Sequence, residues 1–296
     1  MSQIEQELAK RVAGYRGKLS MDYYLSFLDV KGYYIFHDLR LHTGNKYFQM
    51  DILILSANYL LILEIKNIIG TVQFENYFNQ FIRTVNGLEE GFYNPIFQTD
   101  KQKYMLKQWL NVQKFNTPPI ESLICFTNPQ TIIRADSRVK GTDSVIHSQN
   151  LLKIAEMDQK HRTSIFTKKD LLKIARCLIK SNKQDSSNVL ARFNIAPDEI
   201  IKGVHCPRCY KIPIDRKRGN WYCSNCKIHS KDAYIDSLKD HLLLFGPQFT
   251  HLQFKEFLKI NSNSIASKLI SSLNLSYSGT SYKRTYILNN DDFLPK

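Results

Sequence analysis

The sequence predicts a mixed-sheet α/β domain, followed by a cysteine-rich segment and a small helical module. Three observations predict this architecture. Apolar runs typical of strands alternate with helical patterns over about the first 160 residues. Two closely spaced cysteine pairs follow, and paired short helical patterns come after them. We therefore expect four segments: the α/β domain at residues 1–160, a helical connector and linker at 161–200, the cysteine-rich segment at 201–230 and the helical module at 231–296.

Composition and charge limit the class of protein. The 296 residues carry a formal net charge of +14, with a sequence pI near 9.4. This excess of positive charge favours a polyanionic partner, because bound phosphates release counterions. The sequence opens with no charged-then-apolar leader and contains no run of about 18 apolar residues. We therefore expect a cytoplasmic protein without a membrane span, and the composition leaves the oligomeric state open.

Three elements precede the central hairpin. Helical patterns occupy Ile4–Gly14 and Met21–Leu28, and Tyr33–Leu41 alternates as a strand does. His37 and His42 could be metal ligands. A strand histidine in an aromatic run is more often structural, and nothing at ligand spacing supports the metal role here.

A hairpin of two apolar strands organises the first domain. The strands are residues 52–55 and 59–65, and residues 56–58 are the turn between them. If Ala57 and Asn58 are the central turn residues, paired positions have numbers that sum to 115. Asp51 then stands opposite Glu64, with Cβ atoms about 5 Å apart on one sheet face.

The residues around this pair predict chemistry at a bound metal ion. Lys66 shares the face of Glu64, because side chains alternate along a strand. Two close carboxylates repel each other, whereas a divalent cation keeps both ionised. Such ligands suit Mg²⁺ or Mn²⁺, and the ammonium can orient water for attack on a phosphodiester. The pattern is that of a metal-dependent nuclease; the alternative is that both acids end strands and Lys66 forms a surface ion pair.

The next elements extend the sheet and begin a helix. Gly70–Phe74 and Phe78–Val85 have strand patterns, and Glu89-Glu90 is interpreted as a solvated loop. Pro95 begins a helix that places Gln98 and Gln102 on one face. From this pattern alone Gln98 is a solvated helix residue. The remaining predicted elements are strands at Glu121–Thr127 and Val145–His147, helices at about Gln149–Lys160 and Lys168–Lys180, and a linker at Asn182–Asn188.

These motifs, in this order, resemble a known family. Asp51, then Glu64-Ile65-Lys66, then Asn94-Pro95 and Gln98 are similar to the nuclease-related (NERD) domain, a branch of the PD-(D/E)XK nuclease superfamily. The resemblance covers roughly residues 14–110. It implies a restriction-endonuclease-like mixed sheet flanked by helices. It also implies that Asp51 and Glu64 bind Mg²⁺ or Mn²⁺, that Lys66 positions or activates water, and that Gln98 is an extra polar group at the site.

One position departs from the family pattern. The family tends to carry Gly-x-x-Gly-Glu entering its first helix, and that glutamate joins the metal site. The matching residues here are Gly14-Tyr15-Arg16-Gly17-Lys18, so a lysine stands at the acidic position. Asp22, one helical turn on, is a substitute candidate, and Glu5 and Glu7 are weaker ones. Two functions follow: an active nuclease, or a catalytically inactive DNA-binding or regulatory protein that keeps the nuclease fold.

The cysteine-rich segment predicts a structural zinc ribbon. It contains two Cys-x-x-Cys pairs separated by thirteen residues. Two such pairs supply the four thiolates of a tetrahedral zinc shell and leave no open position for a substrate. A redox pair is the alternative, which the presence of two matched pairs disfavours. Basic and aromatic residues decorate the ribbon and suit nucleic acid or a solubilising surface. The four expected ligands are Cys206, Cys209, Cys223 and Cys226.

The last segment resembles a helix-turn-helix with a hairpin wing. Helical patterns occupy Thr250–Leu258 and Asn263–Leu273, and a polar hairpin pattern follows. In this interpretation Lys268 faces a groove with Ser264 and Ser267, while Lys283 and Arg284 contact phosphates. The alternative is a helical pair that binds protein or packs on the first domain. We expect a region that tethers the nuclease to DNA, although composition alone does not separate DNA from RNA.

Overall fold

The computed structural model describes residues 2–28, 32–136, 138–183, 188–280 and 283–289. The chain divides into two compact units, residues 1–185 and 186–296. The first unit contains two sheets with helices packed around them. The second unit contains two small sheets and four helices among its described residues.

A five-stranded mixed sheet forms the centre of the first unit. Its strand order is β1-β2-β3-β7-β9, antiparallel from β1 to β3 and parallel from β3 to β9. The central strands are apolar on both faces because helices or loops cover both. The bounds are β1 Tyr34–Thr43, β2 Lys46–Leu55, β3 Leu60–Lys66, β7 Ile120–Phe126 and β9 Val145–His147.

The predicted hairpin register is confirmed. Ile52 pairs with Leu63 and Leu55 with Leu60, so the numbers of paired residues sum to 115. The Ser56 hydroxyl fixes the turn, because it donates to the Tyr59 carbonyl at 2.8 Å and accepts from the Tyr59 amide at 3.0 Å. The turn therefore sets which side chains at the far end of the two strands meet.

The second sheet continues from the first through a bend at Gly70. Its order is β6-β5-β4-β8, and β4 and β8 are parallel extensions of β3 and β7. Gly70 has φ +103°, and a Cβ there would lie 2.5 Å from the Thr84 carbonyl oxygen. Only glycine fits such a position. The bounds are β4 Thr71–Phe74, β5 Phe81–Val85, β6 Leu88–Phe92 and β8 Ile132–Ala135.

Two differences from the predicted strands lie in this second sheet. Glu89 and Glu90 belong to β6, not to a loop, because the turn before them pairs β6 with β5 and leaves their side chains exposed. Strand β8 was not predicted. It is short and largely exposed, so its apolar pattern is weak, and its pairing with β4 creates it.

Four helices pack against the first unit's sheets. A single helix, α1, spans Gln3–Leu25, so the prediction of two helices there was wrong. Gly17 lets α1 approach Asn67 closely, because a Cβ there would lie 2.8 Å from the Asn67 Cβ. The predicted boundary after residue 160 leaves α4 outside the domain, whereas α4 packs in the core of this unit. The other bounds are α2 Pro95–Val112, α3 Lys153–Lys160 and α4 Lys168–Ser181.

The second unit shares one hydrophobic core. That core runs from Val204 to Leu288 and contains Cys206, Cys223 and Trp221 together with helix residues. Its later elements follow the order helix, strand, helix, helix, strand, strand, which is that of a winged-helix-like module. The bounds are α5 Val189–Arg192, β10 Asp215–Lys217, β11 Asn220–Tyr222, β12 His229–Ser230, α6 Ala233–Phe245, β13 Gln248–Thr250, α7 His251–Phe257, α8 Asn263–Ser272, β14 Ser276–Ser278 and β15 Thr285–Ile287.

No helix among the described residues combines the length and the apolar character that crossing a bilayer requires.

Candidate active site and zinc centre

The polar residues predicted for the nuclease site converge at the end of the central hairpin. Asp51 lies on β2, Glu64 and Lys66 lie on β3, and Gln98 lies in the first turns of α2. The Asn94 side chain begins that helix by accepting from the Ile96 amide at 3.0 Å. Pro95 at the start of α2 suits this position because the missing N–H would have no helical partner there.

A hydrogen-bonded ring joins three of these residues. Lys66 Nζ donates to Glu64 Oε1 at 2.7 Å and to Gln98 Oε1 at 3.1 Å. Gln98 Nε2 donates to Glu64 Oε1 at 2.7 Å. Each side chain therefore has a fixed orientation, and Gln98 is part of the cluster, not a solvated helix residue.

Gln102 completes the environment of Glu64. Its Nε2 donates to Glu64 Oε2 at 2.9 Å and to the Gln49 carbonyl at 2.8 Å. Both Glu64 oxygens thus accept protein hydrogen bonds, and the residue is only 4% exposed. The sequence signal for Gln102 was its spacing of four from Gln98, although no site role was assigned to it.

Asp51 is held between the backbone and a lysine. Its Oδ2 accepts from the Ile65 amide at 2.9 Å, and Lys18 Nζ lies 2.9 Å from its Oδ1. Lys18 also donates to Asp38. Asp38 has φ +51° and interrupts the pairing of β1 with β2, although the register is the same on both sides of it. Local sequence patterns do not reveal a residue in this left-handed conformation, so Asp38 was missed.

The three acids that could substitute for the missing glutamate have other partners. Asp22 Oδ1 is 3.8 Å from His37 Nε2, and this pair lies on the surface. Glu5 caps the start of α1 through Ser2, and Glu7 pairs with Arg11. In the described parts of the chain, Asp51 and Glu64 belong to no group of three convergent carboxylate, histidine or cysteine ligands.

Burial and charge repulsion perturb Glu64. Burial raises its pKa, the Asp51 carboxylate raises it further, and Lys66 opposes both effects. Lys18 is also partly buried, which lowers its pKa, but the charges and hydrogen bonds of Asp51 and Asp38 raise it more. The net result is a charged ammonium beside Asp51 and a carboxyl group at Glu64 that resists ionisation.

We predict that Glu64→Gln stabilises the first unit at pH 7 when no divalent cation is added. A raised carboxyl pKa means that the folded state holds its proton longer than the unfolded chain, so stability falls as the pH rises above about 4.5, the ordinary value. The substitution removes that loss. Melting curves should be recorded from pH 4 to pH 8. Wild type and Glu64→Gln should have the same melting temperature at pH 4, and the melting temperature of Glu64→Gln should be higher by about 2–4 °C at pH 7. Glu89→Gln on exposed β6 is the control, and a net loss at pH 7 would mean that the Lys66 ion pair outweighs the repulsion.

The carboxylates fit a hard divalent cation in type and number. Mg²⁺ is usually held by one or two carboxylates and keeps several of its waters. Asp51 and Glu64 supply two such carboxylates. Burial and then the neighbouring Asp51 carboxylate raise the pKa of Glu64, and a bound cation would relieve the repulsion between the two carboxylates. Lys18 already offsets part of this negative charge, because its ammonium forms an ion pair with Asp51 Oδ1.

The four predicted zinc ligands converge in the second unit. All four Sγ atoms lie within 4.8 Å of one another, with 3.4 Å between Cys206 and Cys226 and 3.5 Å between Cys209 and Cys223. A tetrahedral shell with Zn–S bonds of about 2.3 Å requires sulfur separations of about 3.8 Å. The cluster is therefore compatible with a zinc ribbon.

Two equivalent turns position the thiols. Tyr210 and Lys227 each follow the second cysteine of a pair and have φ values of +58° and +60°. Their amides donate to the carbonyls of Cys206 and Cys223, at 3.0 Å and 2.9 Å. Hydrogen bonds from the Asn225 side chain and the Lys211 amide lower the pKa of Cys209 to about 6, which favours the thiolate that binds metal.

The basic residues predicted to contact nucleic acid lie on the helix and hairpin of the second unit. Lys268 is exposed on α8, and Lys283 is exposed just before β15. The Arg284 guanidinium lies over the Tyr277 ring at 4.2 Å. Ser267 faces His251 at 3.0 Å, so its hydroxyl already has a partner.

Comparison with known proteins identifies the first unit. Residues 13–127 match the family model described as the nuclease-related domain, NERD. The match runs from the middle of α1 to the end of β7 and includes Lys18, Asp51 and the Glu64-Lys66-Gln98 ring. The predicted family is therefore confirmed for this part of the chain. No curated protein and no solved structure matches the chain at a significant level.

Proposed function

We propose that this chain, which carries a nuclease-related domain, is a nucleic-acid-processing enzyme that hydrolyses phosphodiesters with Mg²⁺ or Mn²⁺. The observation that carries the proposal is the convergence of Asp51, Glu64, Lys66 and Gln98 in one fixed, partly buried cluster. A divalent cation bound by Asp51 and Glu64 would act as a Lewis acid and offset phosphate charge. A nuclease-related domain and the net charge of +14 both support a nucleic acid partner.

Each residue of the cluster has a distinct role in this proposal. Glu64 and Asp51 supply the anionic oxygens. Lys66 already donates two hydrogen bonds, so one N–H of its ammonium is left to orient water or a phosphate oxygen. Gln98 holds Lys66 and Glu64 together, and Gln102 fixes the second oxygen of Glu64.

A second function is favoured by one specific observation. Lys18 Nζ contacts both Asp51 and Asp38, so an internal cation already balances the carboxylate that a metal ion would need. A nuclease fold with its charge balanced in this way suits a catalytically inactive DNA-binding or regulatory protein. The two functions make opposite predictions for cleavage.

The decisive experiment is cleavage of plasmid DNA by the purified full chain with Mg²⁺ or Mn²⁺. We expect Asp51→Asn to reduce the rate at least about 100-fold, because it removes one anionic ligand. Asparagine keeps an oxygen for the Ile65 amide, so the fold should survive. Asp100→Asn is the matched control, since Asp100 is exposed on α2 and forms an ion pair with Lys103.

Two results would contradict the enzymatic proposal. One is wild-type cleavage no faster than that of Asp51→Asn with either ion. The other is equal loss of cleavage in Asp51→Asn and Asp100→Asn, which would show that the loss is not specific to the cluster. The first result would leave the inactive scaffold as the function.

The proposed tether is the second unit, with DNA favoured over RNA. Support comes from its exposed Lys268 and Lys283 and from Arg284 beside an aromatic ring. When duplex DNA binding is measured over a range of salt concentrations, Lys268→Ala with Lys283→Ala should lower the number of released counterions by about two. Matched DNA and RNA duplexes separate the two partners. The proposed compartment is the cytoplasm, which keeps zinc-binding thiols reduced.

A further inference from the structure

Helix α1 carries an apolar stripe on its solvent side. The helix buries Gly17, Met21 and Leu25 against the first unit, and those residues occupy one face. A second set of large apolar side chains faces solvent, with exposures between 39% and 65%. The apolar stripe consists of Ile4, Leu8, Val12, Tyr15, Leu19, Tyr23 and, just past the helix end, Phe27.

The spacing of the stripe is that of a helix-packing face. From Ile4 to Tyr23 successive members are four, four, three, four and four residues apart, and Phe27 follows after four more. Ile4 and Tyr15, Leu8 and Leu19, and Val12 and Tyr23 therefore each differ by eleven. An eleven-residue repeat gives 3.67 residues per turn, which keeps the side chains on one face of a nearly straight helix. Single exposed apolar residues are ordinary, but a repeat along 23 residues is not.

The size of the stripe suits a stable protein interface. A helix of 23 residues is about 35 Å long. With roughly 100–150 Å² exposed per side chain, the seven residues offer about 800 Å². That is the area one partner contributes to an interface of standard size, and it exceeds the largest apolar patch on a typical monomer.

The charges beside the stripe identify the kind of partner. Helix α1 carries four basic and three acidic residues, and one of the basic residues, Lys18, points into the candidate active site. The remaining six charged residues have a net charge of zero, although the whole chain carries +14. A nucleic acid or an anionic membrane would require a basic surface. A second copy of α1 offers charged residues of both signs and the same apolar repeat, so it matches this surface. The six are Glu5, Glu7, Asp22, Lys10, Arg11 and Arg16.

We propose that the chain forms a homodimer through its α1 helices, with the apolar stripe of one copy packed against that of the other. A two-fold interface of this kind is self-complementary, because the same patch serves both copies. The aromatic members, Tyr15, Tyr23 and Phe27, are of the type that anchors such interfaces. This inference does not depend on whether the Asp51 site is active.

The test is the mass of the full, zinc-loaded chain in solution by light scattering and sedimentation equilibrium. We expect a dimer of two 34.6 kDa chains for the wild type at micromolar concentration. Leu8→Glu with Leu19→Glu should weaken dimerisation at least about 100-fold, since both side chains would bury unpaired charge. The matched control is Val112→Glu with Leu172→Glu, which places the same charges on exposed apolar positions of α2 and α4.

Three results would overturn the proposal. They are a wild type that is monomeric at 100 times that concentration, a dimer that persists in the Leu8→Glu, Leu19→Glu variant, and a dimer that the control variant also loses. Circular dichroism confirms that each variant is folded. Sedimentation with lipid vesicles, carried out in parallel, would reveal a monomeric chain that binds membranes through the stripe instead.

Discussion

Removal of zinc is expected to unfold the whole second unit, not only the ribbon. The apparent free energy of zinc binding at a four-thiolate site is about 10–16 kcal/mol, which equals or exceeds the stability of an ordinary domain. Cys206 and Cys223 belong to the same core cluster as Phe249 and Phe254 of the winged-helix-like part. Loss of the metal should therefore propagate from the ribbon into α6, α7 and α8.

The measurement combines metal analysis with amide NMR spectra and limited proteolysis. The purified chain should contain one zinc per molecule. After chelation, or in Cys223→Ser, amides of the second unit should lose their dispersed signals while those of the first unit keep them. Cys177→Ser is the matched control, because Cys177 lies on α4 of the first unit and is not one of the four ligands. A fully dispersed spectrum from the metal-free chain would contradict the prediction.

Replacement of Lys18 by glutamate is expected to strengthen Mn²⁺ binding at Asp51 and Glu64 by at least about tenfold. The substitution removes an ammonium 2.9 Å from Asp51 Oδ1 and adds a third carboxylate to the site. Charges this close interact by several kcal/mol at an effective dielectric constant of 20, so the 1.4 kcal/mol of a tenfold change is modest. Lys18→Gln, which removes only the positive charge, should give a smaller gain.

Titration calorimetry on the zinc-loaded chain measures this affinity, and paramagnetic broadening by Mn²⁺ locates the ion. Lys10→Glu is the matched control, since it makes the same charge change on an exposed turn of α1. Equal affinity in the two variants would show that Lys18 does not compete with the cation. Stronger binding with faster plasmid cleavage supports the enzyme, whereas stronger binding without cleavage supports the inactive scaffold.

Local patterns were sufficient to predict the hairpin that holds the candidate site. A two-residue turn sets the register of both strands, and from that register the meeting of Asp51 with Glu64 follows. The paired cysteines were equally informative, because a tetrahedral shell needs two tight turns that bring four thiols together. Both predictions depend on short-range geometry, which the sequence encodes directly.

Long-range contacts account for what the sequence did not reveal. The first helix was predicted as two, Ile4–Gly14 and Met21–Leu28, but it continues through Gly17. Burial of Met21 and Leu25 against the first unit outweighs the low helix propensity of glycine. Strand β8 exists only because β4 offers it a partner. Asp38 contacts Lys18 from a left-handed backbone conformation that no local pattern specifies.

The bend at Gly70 also restricts how this chain can be altered. Strand β3, which carries Glu64 and Lys66, leads through Gly70 into β4 of the second sheet. Any side chain at Gly70 would collide with the Thr84 carbonyl. The turn at Gly87 has open space around it, although it joins strands of the same sheet. A reporter group or an affinity tag therefore belongs at the Gly87 turn, where it can report on the first unit without deforming the second sheet.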